Sequence, residues 1–286
     1  MENVEIAVIG GSGLYDIPDV TDKKQYDIDT PFGKPSAPVT VGTLSEKRVA
    51  FLPRHGTGHT LTPTTVPYRA NIYALKQMGV RFIIAVSACG SLHEDYEPGH
   101  LAIPDQLYDN TKSRHRTFFE TGLVAHVGVA EPFDAYLRNV LQGAVEAAGG
   151  IAHDGGLFFT IEGPRFSTRG ESNIFRSWGG KLIGMTTSPE AFLAAEAEIA
   201  YGCIAQITDY DVWHETEEPV TVEQVMKTAA QNLTTIREAL PLAIAVLDET
   251  TERPVHNSLA NAIMTAGDAL SDDMRKKLAA IVGRYV

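Results

Sequence analysis

Apolar residues fall in short blocks along this chain, and the spacing inside each block predicts its structure. Val4-Glu5-Ile6-Ala7-Val8-Ile9-Gly10 reads as a buried strand ending in a glycine turn. Val39 to Leu44 and Arg48 to Pro53 read as paired strands around a polar turn at Ser45-Glu46-Lys47. Helical spacing runs from Tyr68 to Met78 and stops at Gly79. Arg81 to Ser87 is rich in apolar and β-branched residues, as in a strand covered on both faces. Leu101 to Pro104, Leu157 to Glu162, Lys181 to Gly184 and Tyr201 to Thr208 are further strands. Between them lie helical stretches at Asp134 to Ala148, Arg169 to Trp178 and Pro189 to Ala200. A long helix from Thr221 to Leu240 follows, with Thr221 as its cap.

Strands alternating with helices predict an α/β fold, a single domain whose mixed, mostly parallel central sheet is flanked by helices. No low-complexity linker or internal repeat divides the chain. Residues 1–249 form the main body, and 250–286, two short amphipathic pieces around Gly267-Asp268, form a C-terminal helical appendage of the same domain. Its expected job is packing.

The chain has 286 residues and a formal net charge of -12. Such a surface repels nucleic-acid polymers and anionic membranes but leaves room for a small anion in a local pocket. No window holds about 18 consecutive apolar residues, so no membrane span is expected. The N-terminus lacks a basic stretch followed by an apolar run, so the expected location is the cytoplasm. Cys89 and Cys203 lie in apolar runs and read as buried free thiols.

Ligands of open α/β sheets gather at the C-terminal ends of strands, and four groups stand there. Gly10-Gly11-Ser12-Gly13-Leu14 offers backbone N–H groups and a hydroxyl to a phosphate, although a plain tight turn explains it equally well. It is neither a P-loop nor a dinucleotide fingerprint, since Asp16 stands where the latter needs glycine. Arg54 and His55 follow a strand with a planar fork and a second donor for an anion. His55 and His59 lack a third metal ligand, so no metal is expected. Ser87-Ala88-Cys89-Gly90-Ser91 reads as a hydroxyl-bearing glycine turn, with Cys89 structural. Last come Glu162 to Ser167, Met185 to Glu190, and Thr208-Asp209-Tyr210-Asp211. Two carboxyls at this spacing either raise one another's proton affinity or form a solvated loop.

In order, Ile9 to Leu14, Asp29 to Ser36, Arg54-His55-Gly56, Ala88 to Leu92, Ala130 to Phe133, Thr160 to Ser167, Met185 to Glu190 and Thr208 to Asp211 resemble the trimeric purine nucleoside phosphorylase family. Within it, they are most similar to the branch acting on 5′-methylthioadenosine. The resemblance covers roughly residues 4 to 240. It implies that phosphate attacks the anomeric carbon of a nucleoside while the purine departs, with phosphate as co-substrate and no cofactor.

The resemblance places Ser12, Arg54, His55, Ser87, Ala88 and Thr186 at the phosphate. It places Met185 under the ribose, with Ile183, Phe166 and Ser167 around the nucleoside. Asp209 would protonate N7 and Asp211 would help recognise the amino group. Relatives preferring 6-oxopurines carry Asn in place of Asp209 and Glu in place of Ser167, so both positions favour adenine. They also carry His near the 5′-hydroxyl, where Val222, with Val225 and Met226, would make an apolar wall for a methylthio group. His126 would reach into a neighbouring subunit's sugar pocket, making the expected assembly a homotrimer, with a homohexamer as the alternative.

Overall fold

A computed structural model describes residues 2–11, 19–214 and 221–286. Its elements run β1 (Ile6–Gly10), β2 (Thr21–Tyr26), β3 (Val39–Leu44), β4 (Lys47–Pro53), α1 (Tyr68–Gln77), β5 (Phe82–Ser91), β6 (Leu101–Ile103) and β7 (Gln106–Asn110). They continue through α2 (Ala135–Ala147), β8 (Ala152–Asp154), β9 (Leu157–Ile161), α3 (Arg169–Ser177), β10 (Gly180–Gly184), α4 (Thr187–Glu196), β11 (Ala200–Asp209) and α5 (Val222–Val246). Short helices α6 (Asp272–Lys277) and α7 (Ala279–Val282) end the chain.

The strands join one mixed, mostly parallel sheet in the order β2-β3-β4-β1-β5-β10-β9-β7, and β11 leaves β5 toward β6 and β8. Helices cover both faces. On one, Ile72 and Leu75 of α1 share a core with Ile83 and Ile207; on the other, Leu137 and Leu141 of α2 and Ile236 of α5 meet Ile84 and Ile204. This is the fold class read from the sequence.

Caps explain several boundaries. Asp134 accepts from the Leu137 N–H at the start of α2, and Thr221 accepts from the Gln224 N–H at the start of α5. Thr168 and Glu171 form a capping box at α3. Ser45 and Glu46, with φ of 50° and 63°, make a two-residue turn between β3 and β4 of the kind whose twist suits a hairpin.

The structure departs from the expected elements at seven points. β2, β7 and β8 gave no apolar signal, being polar or three residues long. α4 ends at Glu196 instead of Ala200, because Glu198 turns left-handed at φ 59° and Ala200 opens β11. α5 continues through Pro241 to Val246. Asp209 is the last residue of β11, not the first of a loop. Most important for the site, the glycine turn expected at Ser87 to Ser91 is absent, and β5 runs straight through it.

Residues 250–286 pack on their own chain. Leu259, Leu270, Leu278, Ile281 and Val282 belong to the α1-side core. Tyr73 donates to the Lys277 carbonyl at 3.0 Å, and Ala125 pairs with Ile263 in an antiparallel bridge. Among the described residues, no helix is long and apolar enough to cross a membrane.

Candidate active site

β5 is longer than its neighbour β1, and this mismatch makes the site. β11 runs along one edge of β5 from Phe82 to Gly90. The other edge is shared: β1 pairs with Phe82 to Ala85, and β10 pairs with Gly90 and Ser91. Between them, residues Val86 to Cys89 face a fork where one strand has left and the next has not arrived. Ala88 is the only exposed residue of β5, in a strand otherwise buried end to end. An exposed alanine inside a central strand marks an opening, and it lies at the C-terminal end of β1, where such sheets hold ligands.

Polar groups converge on this fork. Ser87 Oγ lies 3.2 Å from Thr186 Oγ1, and both residues are buried. Arg54 follows β4, and its N–H bonds to the Gly10 carbonyl at 3.0 Å, tying the end of β4 to the end of β1, where the glycine turn is expected. Ser12, the hydroxyl expected on that turn, lies outside the described residues. Arg54 Nη1 donates to the Val86 carbonyl at 2.9 Å.

Two features differ from the sequence reading. The planar fork of Arg54 is already engaged, since Nε and Nη2 donate to the two carboxylate oxygens of Glu190 at 2.7 and 2.6 Å. His55 directs Nδ1 at the Leu61 carbonyl, 2.9 Å away, so that nitrogen carries a proton and Nε2 is the free end. Burial pushes the imidazole down to about 4, leaving Nε2 an acceptor near neutrality. His55 and His59 stack at 4.4 Å.

Farther along the same strands lies the acid pair. Asp209 Oδ1 accepts from the Asp211 N–H at 2.8 Å and Oδ2 accepts from the Thr208 hydroxyl at 2.7 Å. Asp211 turns back with φ of 51°. The chain bends so that both carboxyls sit inside, 9% and 7% exposed, which removes the solvated-loop alternative. Burial raises the Asp209 pKa, and burial raises Asp211 to about 6, with the charge of Asp209 adding to it. Gly90 makes room: a Cβ there would lie 2.8 Å from Asp209 Oδ1.

The Ser172 and Ser167 hydroxyls lie close enough to Asp211 to favour its charged form. Ser167 Oγ, Ser172 Oγ and Asp211 Oδ2 are all buried at this point. Ser172 was not singled out in the sequence. Its only signal was its place one turn into the helix after Ser167.

Arg114 was also missed. It is buried, donating to the carbonyls of Met185 at 2.6 Å, Ser188 at 2.7 Å and Glu162 at 2.7 Å. Glu162 in turn accepts from the N–H groups of Lys112 and Ser113. This clamp fixes the segment carrying Met185 and Thr186. Met185 is half-buried there, Ile183 is buried in β10, and Phe166 sits at the rim, 36% exposed.

Val222 and Met226 are 68% and 60% exposed on the first turns of α5, so they are not core. His126 is exposed and, among the described residues, has no hydrogen bond or ring contact with the other candidates. Its N–H bonds to the Ala262 carbonyl at 2.9 Å, beside exposed Val124 and Met264.

Comparison with known proteins places this geometry. The Phosphorylase superfamily matches residues 5–241. The chain belongs to that superfamily. A relative from Chloroflexus aurantiacus, an S-methyl-5′-thioadenosine phosphorylase, is 51% identical over 286 residues, covering 100% of this chain and 99% of its own. That match extends through residues 250–286. Among solved structures, a methylthioadenosine phosphorylase from an Antarctic soil metagenomic library superposes with a TM-score of 0.94 at 43% identity, over 98% of this chain and 99% of that one. Methylthioadenosine phosphorylase from Schistosoma mansoni, in complex with adenine, has a TM-score of 0.84 at 34% identity, over 91% of this chain and 99% of that one.

Proposed function

We propose that the protein cleaves 5′-methylthioadenosine with inorganic phosphate, giving adenine and 5-methylthioribose 1-phosphate. The observation that carries this reading is the arrangement along β5. An opening lined by Ser87 and Ala88 of β5 and by the Thr186 hydroxyl stands two residues along β5 from Gly90, which pairs with Asp209 of the buried, raised-affinity acid pair on the adjacent strand β11. The family and the activity named for its relatives support it.

In this reading phosphate binds at Ser12, Ser87, the Ala88 backbone, Thr186 and Arg54, with His55 Nε2 accepting from a phosphate O–H. Ribose rests on Met185. The bond from the anomeric carbon to the purine breaks as the phosphate oxygen approaches, leaving positive charge on the sugar and negative charge on the base. The phosphate stabilises the first charge, and protonated Asp209 delivers its proton to N7 to relieve the second. Asp211 and Ser167 hold the adenine edge, with Phe166 beside it. The reaction needs no metal or organic cofactor.

Val222, Val225 and Met226 line the 5′ end. Their exposure fits a pocket covered by a second copy, with His126 as the visiting residue of a homotrimer. A broader activity on adenosine, 5′-deoxyadenosine or 6-oxopurine nucleosides is the second reading, favoured if that wall remains uncovered. The setting is purine and methionine salvage in the cytoplasm.

The test is kcat/KM for methylthioadenosine, adenosine and inosine, each with and without phosphate. Methylthioadenosine should lead and turnover should require phosphate. Inosine leading, or cleavage by water alone, would overturn the reading.

A further inference from the structure

The phosphate corner contains a guanidinium whose charge is already answered. The side chains of Arg54 and Glu190 are 2% and 0% exposed and meet edge to edge through two hydrogen bonds. Tyr201 donates a third bond to Glu190 Oε1 at 2.9 Å. Glu190 is therefore fixed in place, and one edge of Arg54 is closed to any other anion. The neighbouring cation, Arg114, is likewise paired, to Glu162 at 3.4 Å. His55 is neutral near physiological pH. Among the described residues around the fork, the net charge is then close to zero, an odd provision for a site that takes a dianion.

We infer that Glu190 is a charge-balancing and positioning residue. By holding the Nε–Nη2 edge of Arg54, it cancels the guanidinium charge and turns the opposite edge toward Val86 and the fork. Phosphate is then held by neutral hydroxyl and N–H donors, and its charge remains available to the cationic sugar that forms as the base leaves. This inference rests on the phosphate reading above.

The physical reason is differential binding. An unopposed arginine would hold the dianion tightly before and during the reaction alike, and uniform binding does not raise kcat. Worse, it would quench the charge that the developing sugar cation needs. A balanced pair fixes the geometry of Arg54 without that cost. A purely structural ion pair makes the opposite prediction, since loosening it would weaken phosphate binding and catalysis together.

The test measures inorganic phosphate affinity by calorimetry, with steady-state kinetics, for the wild type and Glu190→Gln. The expected result is phosphate binding at least 10-fold tighter with kcat at least 10-fold lower. Equal or weaker phosphate binding in a folded variant overturns the inference. Should Glu190→Gln fail to fold, Arg54→Met is compared with Arg54→Met/Glu190→Leu, because replacing both members of a buried pair with apolar groups is tolerated far better than stranding one. The double variant should bind phosphate at least 10-fold more tightly than the single. No recovery overturns the inference. A wild type that binds no phosphate overturns the phosphate reading itself and this inference with it.

Discussion

Asp209→Asn separates chemistry from structure at this site. The change is nearly isosteric, and the surrounding bonds survive it. The new side chain keeps an oxygen for the Asp211 N–H, which lies 2.8 Å from Asp209 Oδ1 in the wild type. The Thr208 hydroxyl has one proton to place between Oδ2 at 2.7 Å and the Cys89 carbonyl at 3.1 Å, so in the variant it can donate to the carbonyl and accept from the new amide. One rearranged hydrogen bond is worth about 1 kcal/mol, so the melting temperature should move by only a few degrees. Burial that disfavours a charged carboxyl does not penalise an amide, which works in the variant's favour. What the variant loses is a transferable proton. General acid catalysis contributes about 10²–10⁴-fold, or about 3–5 kcal/mol. The assay is kcat/KM for methylthioadenosine beside a thermal melt, with inosine as a second substrate. Adenine nucleosides should lose about 10²–10⁴-fold, and inosine less, because an amide suits a 6-oxo group. A folded variant within about threefold of wild type on methylthioadenosine would refute the role, since no acid contributing the usual factor can be absent.

Other consequences can be measured separately. Gly90→Ala puts a Cβ 2.8 Å from Asp209 Oδ1 and should lower kcat/KM by about 10-fold or more through displacement of that carboxyl, with a minor change in melting temperature. Arg114→Ala strands the buried carbonyls of Met185 and Ser188 and should destabilise the fold by about 3 kcal/mol or more, read by denaturant unfolding. Burial raises Glu196 from 4.5 to about 7, so its contribution to stability is complete below about pH 4.5 and lost as pH rises through 7. The wild type should therefore melt lower at pH 8 than at pH 5, and Glu196→Gln should flatten that slope; an unchanged slope would discount the residue. The raised acid pair predicts that kcat/KM declines as pH rises above about 6, and that Asp211→Asn shifts the limb.

The alternation of apolar blocks with helical spacing was enough to read the α/β class, because β1 is buried throughout and β5 and β11 are buried at every residue but one each. β2 escaped notice because Thr21–Tyr26 lies at the sheet edge with almost every residue in water, where no alternation is required. The site was legible as residue types and order but not as relations. Ser87 to Ser91 looks like a turn because it contains small residues, yet in a central strand small residues let other groups approach closely. Nothing in the sequence pairs Arg54 with Glu190, which are 136 positions apart. Likewise Ser172 and Arg114 matter through what they face, which only the fold decides.

In the proposed reaction β5 would also serve as a ruler for the substrate. Ala88, at the fork, stands opposite Gln206 of β11, and Gly90 stands opposite Asp209. Two residues of strand span about 7 Å, roughly the reach from an oxygen attacking one face of a sugar to the imidazole edge of the base departing from the other. In the proposed reaction the two ends would thus be spaced by the pleat of one strand and not by the sum of several loops. Loop insertions elsewhere can alter which nucleoside enters, but a single residue inserted between Ala88 and Gly90 would invert the faces of the strand and put the proton donor out of step with the nucleophile.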